Sequence, residues 1–190
     1  MKTWMLVVLA GCALTSKSAP IELRYFTPLP PAPAAHPVVP GVAHARLRLG
    51  RITPSAHLRY PIVHRDSPVE LAPYETLRWS EPPDAYVRRA LGRALFEARP
   101  IDQAIGGAAP TLDVEVVAFE EVRHEARHSG RVELRYVLHD ERAVLARGVV
   151  AIERDAAGPA IEQVVAAISS ALDAAVTQLA DRVGAVLSPT

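Results

Sequence analysis

The chain has 190 residues, enough for one domain with a real core, and 49% of them are hydrophobic. Its 21 basic side chains are matched by 21 acidic ones, which argues against a nucleic-acid surface or a binding mode driven by bulk charge. With a single cysteine, no intramolecular disulfide can form, so the fold must rest on its apolar packing.

The N-terminus carries the order of a secretory signal. Lys2 precedes seven apolar positions, Trp4 to Ala10, and small residues then lead to Cys12. The run is too short to span a bilayer, which takes about 20 apolar residues. Leu9-Ala10-Gly11-Cys12 has the form of a lipoprotein processing site. A thiol is the soft nucleophile that accepts a diacylglycerol as a thioether, and small Ala10 and Gly11 give a peptidase access to the following bond. Cleavage there leaves 179 residues (190 − 11), beginning at an S-diacylglyceryl, N-acylated Cys12. The competing reading is a buried thiol in an apolar N-terminal strand.

Residues 12–44 read as an acylated N-terminus, a first strand and a proline-rich segment, and 45–190 as the folded domain. Ile21 to Phe26 alternates apolar and charged residues and suits a strand. Between Pro28 and Pro40 stand six prolines, a composition that favours extended polyproline geometry. If Ile21–Phe26 is a strand, that stretch is a loop inside the domain rather than a free linker.

From Ala45, Leu47, Leu49 and Ile52 alternate with Arg46, Arg48 and Arg51, apart from one slip near Gly50, which predicts a half-buried strand with a solvated arginine stripe. Tyr60 to Arg65 and Val69 to Leu71 follow as short strands around Asp66-Ser67-Pro68, with Pro61 suited to an edge strand or to a strand's first residue. After Trp79-Ser80-Glu81-Pro82-Pro83, the spacing of Val87, Leu91, Ala94, Leu95 and Ala98 predicts a helix over Asp84–Ala98, capped by Ser80 or Asp84. Three more strands are predicted at Leu112–Phe119, Val132–Leu138 and Val144–Ile152. A long amphipathic helix is expected over Pro159–Leu187, where apolar residues recur every three or four positions from Ile161 to Val186. The expected fold class is α/β: a mainly antiparallel twisted sheet packed by two principal helices, after a lipoprotein signal peptide.

One catalytic pattern occurs. His124-Glu125-Ala126-Arg127-His128 matches H-E-x-x-H, in which two histidines one helical turn apart bind zinc and the glutamate activates water. The motif needs a helix and a third ligand. Here it lies between two alternating strand patterns, next to Ser129-Gly130 and among charged residues, so a solvated hairpin loop is the better account and a zinc peptidase through His124, Glu125 and His128 the remote one. His36, His44, His57, His64 and His139 show no ligand spacing and read as surface or turn residues. Asp113, Glu115, Glu120 and Glu121 fall on strand positions expected to be solvated. No nucleophile elbow, P-loop or dinucleotide fingerprint is present, so no enzyme activity, metal or cofactor is expected.

Several separated segments resemble the ABC-type transport auxiliary lipoproteins: Leu9 to Cys12, Tyr25-Phe26-Thr27-Pro28-Leu29, Leu58 to Arg65, Trp79 to Pro83 ahead of a helix, and Ala167 to Leu172. The resemblance implies a lipid-anchored, periplasm-facing protein. It would work with an MCE-domain protein, a permease and sometimes an ATPase to move lipids or other hydrophobic molecules between membranes, without hydrolysing ATP itself. A homo-oligomer is compatible with that role. By resemblance to Gram-negative lipoproteins, Ala13 after the cysteine, in place of aspartate, favours the outer membrane. An envelope scaffold or activator, for example of a peptidoglycan synthase, uses the same anchor and spacer and is the alternative.

Overall fold

The computed structural model describes residues 21–28 and 44–188. Cys12, the signal segment, His36 and most of the proline-rich stretch lie outside them. Eight strands form one sheet: β1 (Arg24–Phe26), β2 (Ala45–Pro54), β3 (Pro61–Ser67), β4 (Glu70–Trp79), β5 (Ile101–Gln103), β6 (Thr111–His124), β7 (Arg127–His139) and β8 (Val144–Asp155). Two helices, α1 (Pro83–Gly92) and α2 (Ile161–Leu187), pack against it. The sheet is α/β and mainly antiparallel, as the alternation predicts, because the long ladders β6–β7, β7–β8 and β3–β4 are antiparallel. Shorter parallel pairings join β1 to β4, β2 to β5, and both β2 and β3 to β6.

Strand β6 organises the sheet. β7 lines one of its edges throughout, so β2 and β3 must share the other, β2 along Thr111–Val116 and β3 along Glu120–Val122. Leu58, in the loop between β2 and β3, is fully buried. The slip near Gly50 is a bulge: the β2–β6 register shifts between Leu49 and Ile52, and Asp113 Oδ1 accepts the Arg51 N–H at 2.7 Å. A second bulge in β6, at Val117, changes which residues face the helices. Leu112, Val114 and Val116 are buried before it, Phe119 after it.

Helix α2 closes the core on β7 and β8 through Val165, Ile168, Leu172, Ala175, Leu179 and Val183, all buried. Each such side chain contributes about 1.5 to 3 kcal/mol when fully removed from water, less for alanine. By length and mean hydropathy α2 could cross a membrane, yet 61% of its most apolar window is buried in the domain, the mark of a core helix. At the other end of the core, Trp79 meets Phe119 edge-on at 5.2 Å and Tyr86 at 6.1 Å.

Three local expectations change. The helix predicted over Asp84–Ala98 starts at Pro83 and passes from α to π geometry at Arg93–Glu97. Neither Ser80 nor Asp84 caps it: Pro82 holds the cap position, and the Tyr86 hydroxyl accepts the Glu81 N–H at 2.9 Å and bonds Ser80 Oγ at 2.8 Å. The strand read at Val69–Leu71 runs on to Trp79, and Pro61 does open β3. The first strand exists at Arg24–Phe26 and pairs with β4, so residues 28–40 stand in sequence between two strands of one sheet.

Candidate functional site

The H-E-x-x-H segment forms the tight end of the β6–β7 hairpin. Glu125 and Ala126 are the turn, with Glu125 in the left-handed region at φ 54°. The register pairs Arg123 with His128 and His124 with Arg127. Because side chains alternate along a strand, His124 and His128 project from opposite faces of the hairpin. They cannot share one metal ion as they would across a helical turn. His128 instead brings Nδ1 to 2.6 Å from Glu121 Oε1. Among the described residues, no three His, Cys, Asp or Glu side chains are gathered as a metal site.

The expectation of solvated carboxylates fails for two of the four. Glu120 and Glu121 are both fully buried, one on each face of β6. A buried carboxylate is tolerated only when paired and hydrogen-bonded, and both are. Arg65 Nε donates to Glu120 Oε1 at 2.6 Å and Nη2 to Oε2 at 3.3 Å, a bidentate clamp from the neighbouring strand β3 that also holds the guanidinium pKa above its usual value. Glu121 takes the Tyr74 hydroxyl at 2.5 Å and Arg123 Nε at 3.1 Å besides His128. Burial, then the bond to Glu121, pushes the Tyr74 phenol up to about 12. Arg123 lies over the Tyr74 ring at 4.9 Å from its centre, and His64 meets that ring edge-on at 5.0 Å.

The lower half of the sheet's helix-free face is different in character. Around a shallow depression of about 240 Å³ stand Arg51, Thr53, Asp113, Glu115, Arg135 and Val137. Arg135 Nη1 binds Glu115 at 2.6 Å, and His139 Nε2 approaches Asp113 at 3.2 Å. The arginine stripe is only partly solvated. Arg46 and Arg48 donate to the Gly106 and Gly107 carbonyls at 3.1 and 2.8 Å and tie down the loop that leads into β6. His44 and His64 likewise each meet an aspartate, Asp102 at 2.9 Å and Asp66 at 3.1 Å. These carboxylates and arginines tie neighbouring strands and loops together and present a mixed-charge surface.

The family model of the ABC-type transport auxiliary lipoprotein component matches residues 28–180, most of the described domain. The chain belongs to that family. As an ABC-type transport auxiliary lipoprotein it shares its fold with a DUF330-family protein of Xanthomonas campestris, at TM-score 0.73 and 20% identity over 86% of this chain and 95% of the other. An uncharacterized protein follows at TM-score 0.65 and 14% identity, over 85% and 99% of the two chains. A hypothetical protein of Chlamydia trachomatis superposes at TM-score 0.56 and 8% identity, over 76% and 98%. No curated protein matches the chain.

In this auxiliary lipoprotein, Cys12 lies outside the described residues. The paired buried carboxylates went unread in the sequence because Ala118-Phe119-Glu120-Glu121-Val122 breaks the alternation that marks a solvated face. That break was itself the available signal: consecutive strand residues point to opposite faces, and here Arg65 covers Glu120 on one face while Tyr74, Arg123 and His128 cover Glu121 on the other.

Proposed function

We infer that this protein is anchored at the outer membrane through an acylated Cys12, faces the periplasm, and serves as the accessory component of an MCE/ABC-type system. That system carries lipids or other hydrophobic solutes between the membranes. The family match over residues 28–180 carries the reading. The order of Lys2, the short apolar run and Leu9-Ala10-Gly11-Cys12 supports the anchor. Acyl chains contribute about 0.8 kcal/mol per buried methylene, so a multiply acylated cysteine holds a domain at the bilayer durably. Within this reading the domain is a docking module for an MCE-domain protein or permease.

Photo-crosslinking in cells from the helix-free face, for example at Val137 or Thr53, tests it. Recovery of an MCE-domain protein or its permease is the expected result. Recovery of a peptidoglycan synthase alone would overturn it in favour of an envelope activator.

A further inference from the structure

Among the described residues the sheet ends in three edges of unequal kind. β1 and β5 are three-residue strands, whereas β8 has twelve residues and, among the described residues, pairs only with β7. Soluble proteins usually interrupt so long an edge with a charge, a proline or a bulge. Here the middle of the strand, Gly148-Val149-Val150-Ala151-Ile152, has none, and Val149 is 44% exposed. The polarity of the backbone follows from two bonds. The Ala156 N–H donates to the His128 carbonyl across the β7–β8 pair, while the Val149 carbonyl accepts Arg182 Nη1 from α2 at 2.9 Å. Even-numbered residues therefore turn their backbone groups to β7. Arg147, Val149, Ala151 and Glu153 turn theirs outward.

We propose that this edge is self-complementary and pairs antiparallel with β8 of a second copy, about a two-fold axis at Val150. That centre sets Arg147 opposite Glu153 of the second copy and Val149 opposite Ala151 of the second copy, so every outward-facing residue meets another. Each such pair exchanges two backbone bonds, giving about eight in all. The register of β7 with β8 places Arg147 opposite Val137 and Glu153 opposite Arg131, on the helix-free face. The two-fold then juxtaposes unlike charges twice. Any one-residue slip would oppose outward-facing to inward-facing residues and lose both the bonds and the charge pairs. A formal net charge of zero leaves no long-range repulsion between copies. Both α2 helices would lie on the same side of the enlarged sheet. Arg182 works against association, since its guanidinium must leave the Val149 carbonyl. The pairing does not depend on which transport partner the protein serves.

The test is sedimentation of the full chain in detergent, with Cys12→Ser removing the native thiol. A concentration-dependent dimer is expected. Arg147→Glu should weaken it about tenfold or more, because like charges then face each other twice. Adding Glu153→Arg to Arg147→Glu should restore it, and Arg182→Ala should tighten it. Val150→Cys should give a disulfide-linked dimer, because Cα atoms in a non-hydrogen-bonded pair lie about 4.5 Å apart, within the range of about 4.4 to 6.8 Å that a disulfide spans. A monomer at all concentrations overturns the proposal. A dimer indifferent to Arg147→Glu overturns it too, because another surface then makes the contact.

Discussion

Gly130 of β7 stands directly beneath Ile168 of α2: a Cβ added there would lie 2.2 Å from the Ile168 backbone nitrogen and 2.6 Å from the Ala167 carbonyl carbon. Those atoms belong to a helix backbone, which no rotamer change can move aside. Gly130→Ala must push α2 off the sheet locally, and overpacking of this kind costs about 1 to 3 kcal/mol. Urea unfolding of the variant should show that loss. Gly184→Ala is the control, because nothing lies within 4 Å of its Cβ position near the end of the same helix. Replacing this half-buried helical glycine, whose Cβ position is open, should add up to about 1 kcal/mol. The two substitutions should move the midpoint in opposite directions.

Arg65→Ala removes both donors from a carboxylate with no exposure to water. Breaking a buried pair from one side costs about 3 to 5 kcal/mol because the remaining charge is uncompensated. Arg65 keeps some exposure, so water entering the vacated space places the expected loss near the lower end. The double variant Arg65→Met, Glu120→Leu removes the charge together with its partner and should recover most of that loss. A double-mutant cycle by denaturant unfolding checks this, and simple additivity of the two single changes would contradict the account.

The fold class was legible because β7 and α2 obey their periods cleanly. Val132, Leu134, Tyr136 and Leu138 are buried as their alternation predicts, and so are Val165, Ile168, Leu172 and Ala175 at helical spacing. Where a bulge intervened, legibility fell. Phe119 marked the predicted end of β6, but the strand continues to His124 after its facing residues change at Val117. Gly130 read as part of a turn because glycine commonly marks one, whereas its role is to let α2 approach β7. Such a need depends on a contact between residues 38 positions apart in sequence (168 − 130), which no local pattern encodes. Parallel pairing of β2 and β3 to a single strand edge is non-local in the same sense.

Tyr74 predicts a distinctive alkaline titration. Its phenol is raised from the ordinary 10 to about 12, so the neutral form is the one the folded state favours. A raised folded pKa contributes stability that is fully present below about pH 10 and is lost as pH rises through about 12. Absorbance at 295 nm should therefore show a late phase near pH 12 that Tyr74→Phe removes. The same substitution deprives buried Glu121 of a hydroxyl donor, at a cost of about 1 to 3 kcal/mol. A Tyr74 that ionises at the ordinary value of 10 would show that its burial and its Glu121 bond do not persist in solution.

Cys12→Ser separates the anchor from the fold. If Cys12 is the acylated residue, as proposed, serine keeps the shape of the side chain but lacks the soft thiolate that would take the diacylglycerol, so the variant should lose the anchor and keep the packing of residues 44–188. Among the described residues the core contains no cysteine, and the long helix that closes it is mostly buried against the sheet. Fractionation should show the variant displaced from the outer-membrane fraction, with circular dichroism and thermal unfolding of the purified protein unchanged. Undiminished membrane association would refute the acylation of Cys12 and return the thiol to the reading of a packed N-terminal residue. Displacement accompanied by loss of transport in cells would mean that the domain works only while tethered, since its fold is intact in solution.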